Sequence, residues 1–296
     1  MRWYANVKEV GGGDTTVVLA HGYGANQTLW DKLLPVLSEH HRVILFDWDF
    51  TGRGGADEEE EEEATAGRYT FGRFADDLIA LMDDKGARGA VVVGHSMSAM
   101  AACIASVRRP DLFAHLVLLC ASPRYIDSPE EGYVGGFDRA SIDGMLGAMS
   151  SDFGAWVKGF VPNAAGGDPS ASPALEQSFL SMHPGVALEV ARMIFLGDQR
   201  GALDAVAVPC TVVQVAADFA ASPAVAEYMQ RRMEKAAEVE VVVIDSVGHF
   251  PQLVAPQQLL AVLQRVLQRT GGEVVVGAEE EQAAEEAAEV VEADGG

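Results

Sequence analysis

Short runs of apolar, mostly β-branched residues recur along the chain at 16–20, 42–46, 90–93, 116–121, 211–216 and 239–244. Each is nearly continuous in its hydrophobic character, the pattern of strands buried on both faces. Helical patterns follow most of them. Alternating strands and helices predict a mostly parallel sheet covered by helices on both sides, with ligands bound beyond the carboxyl ends of the strands. Ser222-Pro223 marks a helix start, and that helix is expected to reach about Lys235. Pro256 opens a last helix that Gly271 and Gly272 should stop.

One stretch breaks the alternation. Between the strand ending near Ala121 and the one starting near Thr211 the pattern shows no strand, and it predicts helices over 141–150, 152–160, 173–182 and 184–195. Aromatics recur on them. The four read as a lid over a site, with an ordinary packed helical subdomain as the alternative. The expected organisation is a core of residues 1–121 and 206–271, with a helical insertion at 122–205.

Charge changes this picture in two places. The formal net charge is −23. Seven consecutive acids, Asp57 to Glu63, lie in a glycine-flanked segment, and nine acids with no base fall after Gly271. These sixteen leave the rest of the chain at only −7. Segments 52–67 and 272–296 are therefore expected to be a disordered acidic loop and a disordered acidic tail around a mildly acidic globule. Such a surface repels nucleic acid and anionic membrane. No apolar run reaches the length of a membrane span, and the N-terminus lacks the apolar core of a signal peptide. Cys103, Cys120 and Cys210 are odd in number and sit in apolar stretches. They read as buried free thiols in a reducing compartment.

Chemistry concentrates at strand ends. Val93-Gly94-His95-Ser96-Met97-Ser98-Ala99 joins a strand to a helix through small residues. That is the pattern of a nucleophile elbow, which lifts a serine oxygen above the sheet. Ser98 stands where the usual motif has its second glycine. Leu19-Ala20-His21-Gly22-Tyr23-Gly24 ends an earlier strand. The main-chain N–H groups of Tyr23 and Met97 are the candidate oxyanion hole, while His21 itself reads as a loop-fixing side chain. Asp218 ends a strand, and His249 follows the next one. Ser96, Asp218 and His249 thus fall in the order nucleophile, acid, base. Asp245, only four residues before His249, is the rival acid. No clustered His/Cys/acid set suggests a metal, and no cofactor is expected.

These residues resemble the plant α/β-hydrolases that perceive strigolactones and karrikins. The similarity covers most of residues 17–267. It is carried by Gly94-His-Ser-Met-Ser-Ala-Met100, Arg108-Arg-Pro-Asp-Leu-Phe113, Ala121-Ser-Pro-Arg-Tyr125, Gly135-Gly-Phe137, Ala155-Trp156 and Gly159-Phe160. Phe46-Asp-Trp48, Asp77-Leu-Ile-Ala-Leu-Met82 and Gly248-His-Phe-Pro-Gln252 look most like the branch called "D-fourteen-like two". The resemblance implies an α/β-hydrolase fold and slow serine hydrolysis of small butenolide or lactone-type esters beneath a four-helix lid. A receptor with little turnover is the alternative. It also implies, for the receptor branches, recruitment of an F-box protein. The thiols and the lack of an apolar leader or span point to the cytoplasm, with the nucleus as a second candidate compartment. Carried over, the pocket includes Tyr23, Phe137, Met145, Trp156, Phe160, Phe195, Phe219 and Phe250. Asp49-Phe-Thr-Gly-Arg53 with the acidic run, and the acidic tail, depart from the family.

Overall fold

A computed structural model describes residues 2–51 and 68–271. The expected acidic loop and tail lie outside the described residues. Among those residues, seven strands form one sheet: β1 (Tyr4–Val10), β2 (Thr16–Ala20), β3 (Arg42–Trp48), β4 (Ala90–His95), β5 (Phe113–Leu119), β6 (Cys210–Ala217) and β7 (Val239–Val247). Their spatial order is β1-β3-β2-β4-β5-β6-β7. Only β1 is antiparallel to its neighbour among these strands.

β1 is the strand that the hydrophobic pattern missed. It lies at the sheet edge, is mostly unburied, and is interrupted between Ala5 and Lys8 by an irregularity where Asn6 adopts φ 52°. A bulged edge strand needs no continuous apolar run. The central strands do. Every residue of β2 and β4 is buried. Val18, Ile44 and Val92 face one layer, and Val17, Val43 and Val91 face the other.

Helices α1 (Phe71–Asp84) and α2 (Met97–Arg108) contribute to the first layer. The chain then leaves β5 for the insertion, where α3 (Arg139–Ser151), α4 (Phe153–Ala164), α5 (Ser172–Leu180) and α6 (Pro184–Leu196) pack into the same hydrophobic cluster. The α4 helix runs past the predicted end at residue 160 and carries Pro162 in its last turn. Asp138 and Asp152 open α3 and α4 by accepting the N–H groups of Ser141 and Ala155. Helix α7 (Pro223–Arg232) stops short of residue 235, and Ser222 makes no side-chain cap. Helix α8 (Pro256–Thr270) covers the second layer together with Trp30 and Leu33. Among the described residues no single helix is long and apolar enough to cross a membrane.

The topology makes one crevice. The chain passes from β2 to β3 on one side and then to β4 on the other. The carboxyl ends of β2 and β4 therefore lie side by side, with Ala20 paired to Gly94. Connections diverge there and leave room for a ligand.

Candidate active site

Ser96 is the single residue between β4 and α2. Its backbone sits at φ 55° and ψ −116°, a conformation that costs a non-glycine residue roughly 1–3 kcal/mol. The Ser96 N–H donates to the Leu119 carbonyl at 2.8 Å, which ties the turn to β5. Strand and helix almost touch: a Cβ on Gly94 would lie 2.7 Å from the Ser98 carbonyl oxygen and 2.8 Å from Ala99 Cα. Nothing larger than glycine fits at 94.

His249 Nε2 is 2.9 Å from Ser96 Oγ, and His249 Nδ1 is 2.7 Å from Asp218 Oδ2. Asp218 Oδ1 accepts the Ala220 N–H at 2.8 Å. The carboxylate fixes the proton on Nδ1 and leaves Nε2 free to accept the serine proton. His249 is also held through its backbone. Its N–H donates to the Ala164 carbonyl at the end of α4, and its carbonyl accepts His95 Nε2–H at 2.8 Å. Asp245 does not compete: it is exposed on β7. All three residues of the triad are buried.

The loop after β2 is braced on the elbow. His21 Nδ1–H donates to the Gly22 carbonyl at 2.9 Å, and Nε2 accepts the Trp48 N–H at 2.9 Å. His21 is thus a loop-fixing residue, and burial pushes its pKa down to about 4. The Ser98 hydroxyl donates to the His21 carbonyl and accepts Trp48 Nε1–H at 2.8 Å. Ser98 does more than stay small in place of glycine, and the sequence motif did not show that bracing. A Cβ on Gly22 would meet His95 Nδ1 at 2.7 Å. Among the described residues no backbone acceptor takes the Tyr23 N–H, and the Met97 N–H opens a helix and has no acceptor within it.

Against Ser96 lies a cavity of about 30 Å³. That is an order of magnitude below ordinary ligand pockets. Of the residues carried over to the pocket, Tyr23, Phe160, Phe195, Phe219 and Phe250 line it. Phe137, Met145 and Trp156 do not, which corrects their expected place. They are half-buried one layer back, where Phe137 packs on Tyr125 and Trp156 stacks on Phe160 at 4.7 Å between ring centroids. Tyr125, Phe179 and Ile194 line the cavity and were not singled out by the sequence as lining residues. Phe179 fills space, with Phe160 at 5.4 Å and Tyr23 at 5.5 Å. Tyr125 lies within the stretch Ala121–Tyr125, so a signal for it existed. Burial of its hydroxyl raises its pKa.

The fold also assembles a cluster that the linear sequence concealed. Cys120 follows β5 at φ 49°, is fully buried, and places its thiol near the Asp218 carboxylate. One ligand atom each from Cys120, Asp218 and His249 lies within 4.8 Å of the others. The expectation of no His/Cys/acid set is corrected here, because the three meet only when β5, β6 and β7 align.

A serine on a strained strand–helix turn, an imidazole on its oxygen and a buried carboxylate behind that imidazole define a serine hydrolase on an α/β fold. The "Alpha/beta hydrolase family" matches residues 17–262. A strigolactone esterase of Arabidopsis thaliana is 39% identical over 265 residues, covering 89% of this chain and 96% of that protein. A karrikin insensitive 2 receptor of Petunia hybrida is 39% identical over 262 residues, covering 88% and 92%. Among solved structures, a hydrolase from Oleispira antarctica superposes with a TM-score of 0.80 at 28% identity, covering 88% and 94%. The chain belongs to the α/β-hydrolase family and, within it, to the group of strigolactone esterases and karrikin receptors.

Proposed function

We propose that this chain hydrolyses small apolar esters of the butenolide or lactone type, and that this activity serves strigolactone- or karrikin-like signalling. The observation that carries the reading is the 2.9 Å contact from His249 Nε2 to Ser96 Oγ beneath an aromatic roof. Ser96 Oγ attacks the acyl carbon as His249 takes its proton, and Asp218 stabilises the imidazolium. The Tyr23 and Met97 N–H groups receive the oxyanion. His249 returns the proton to the leaving group, and water then releases the acyl group from Ser96. Helices α3 to α6 act as a lid. Resemblance and relatives named as esterase and receptor support the ligand class. Recruitment of an F-box protein rests on the resemblance alone. Three buried free thiols support residence in a reducing compartment, cytoplasm or nucleus.

One observation favours a receptor with little turnover as the second reading. A cavity of about 30 Å³ cannot hold a butenolide ester until its rings part. Opening and closing would then limit the cycle. Intact-protein mass spectrometry after incubation with a synthetic butenolide ester tests both. The hydrolase predicts many product equivalents per chain and an acyl mass gain that Ser96→Ala abolishes. A mass gain with about one product equivalent selects the receptor. No product and no adduct would sink the hydrolytic reading.

A further inference from the structure

The triad does not use Cys120, yet the thiol sits against its acid. We propose that Cys120, Asp218 and His249 form an inhibitory site for a thiophilic divalent cation such as zinc. The cation would take the position now bridged by the hydrogen bond from His249 Nδ1 to Asp218.

The donor set is one thiolate, one imidazole nitrogen and one carboxylate oxygen, a combination suited to zinc and cadmium. Tetrahedral zinc holds such atoms roughly 3.3–3.8 Å apart. These three lie within 4.8 Å of one another, and His249 Nδ1 and Asp218 Oδ2 are 2.7 Å apart, so the thiol must draw in by about 1 Å while imidazole and carboxylate part by roughly 0.7 Å. The charges also balance. The Asp218 carboxylate and a Cys120 thiolate neutralise a divalent ion, and no Lys or Arg is among the described residues that line the adjoining cavity. The supports are already in place: Ala220 N–H on the carboxylate, and Cys120 N–H on the Val213 carbonyl.

Occupation would silence the hydrolase by a defined proton shift. The Cys120 thiol gives its proton to solvent. The His249 Nδ1 proton moves to Nε2 as the cation binds Nδ1. Nothing is oxidised. Nε2–H then faces Ser96 Oγ and cannot accept its proton, so Ser96 is no longer activated.

The full chain, stripped by chelator, provides the test. Cadmium titration of the parent should develop an ultraviolet cadmium–thiolate band at about one equivalent. Micromolar zinc or cadmium should suppress cleavage of a short ester, and chelator should restore it. Relative to its own metal-free rate, Cys120→Ala should lose the band and tolerate at least about tenfold more cation. Cys120→Ser is the alternative should alanine not fold, and it too should lose the cadmium band. Cys103→Ala and Cys210→Ala should keep both band and inhibition. Repeating the titration on Ser96→Ala, which cannot hydrolyse, separates failure of the metal site from failure of the hydrolytic reading. No band in the parent, or a band and inhibition unchanged in the Cys120 variants, overturns the proposal.

Discussion

The floor of the site and its roof are built by opposite rules. On the floor, each polar group is fixed by a named partner: Ser96 by Leu119 and His249, Asp218 by Ala220, and His249 by Ala164 and His95. Two floor residues, Ser96 and Cys120, hold positive φ values that only surrounding structure can enforce. The roof contributes Phe160, Phe179, Ile194 and Phe195 to the cavity, and ring packing holds its aromatics. Directional bonds resist displacement by a fraction of an ångström, whereas aromatic contacts re-form after sliding. The reaction is thus preorganised from below, while access and choice of substrate are set from above.

The comparison is sharpest at the nucleophile. Ser96→Ala should lower kcat for a small activated ester on the order of a million-fold, without changing the fold. Esterase kinetics on the purified variant check this, and a rate within tenfold of the parent would place the reaction elsewhere. Asp218→Asn should cost on the order of ten-thousand-fold, since the amide no longer enforces the Nδ1–H tautomer. A loss below tenfold would transfer the role to another acid.

Bracing of the floor gives a smaller effect. Ser98→Ala removes the hydroxyl between Trp48 Nε1 and the His21 carbonyl. Trp48 Nε1 and the His21 carbonyl keep their own bond at 3.0 Å, so the loss is about 1 kcal/mol and kcat should fall severalfold with KM little changed. Ser98→Gly, which restores the common motif, should fall equally. Unimpaired kcat in the glycine variant would show that the loop after β2 holds itself.

Legibility in the sequence follows the same division. The central strands were visible because both faces of β2 and β4 are buried. The triad was visible because its members sit at strand ends, where chain order and spatial order coincide. β1 was not visible, since a bulged edge strand is paired through its backbone more than through apolar side chains. The roof was half legible. Its helices could be placed by pattern, but the rotation that aims Phe160 and Phe179 inward and leaves Trp156 behind depends on contacts between helices. Cys120 and Ser98 escaped for a related reason, because their partners are fifty or more residues away or reached only through the sheet.

Roof variants should therefore redistribute activity. The parent should prefer short acyl chains. Phe160→Ala opens the cavity wall directly and should raise kcat/KM for longer esters severalfold. Trp156→Ala acts only through the Phe160 and Phe179 rings packed on it and should do less. An acyl-chain series measures both. A flat series in the parent, or a larger effect from Trp156→Ala, would contradict the layering.

The smallest effect concerns stability. His21 and His95 are fully buried on the floor. Burial holds His21 down to about 4 and His95 well below its ordinary 6.5. Both groups have depressed folded values, so below 6.5 the unfolded chain binds more protons than the native one, for His21 down to about 4. Stability is complete above 6.5 and drains away as the pH falls through that window. Each group contributes up to about 1.4 kcal/mol per pH unit there. Near pH 5.5 His21 alone would lower Tm by roughly 2–3 °C relative to neutral pH, and His95 acts in the same direction. His95→Gln keeps an amide donor near the His249 carbonyl and removes one titrating group, so it should flatten the fall. Thermal melts of parent and variant from pH 8 to 5 check this. Equal slopes would exclude His95 as a proton-sensitive brace, and a flat parent curve would show that native His21 and His95 take up protons without loss of the floor.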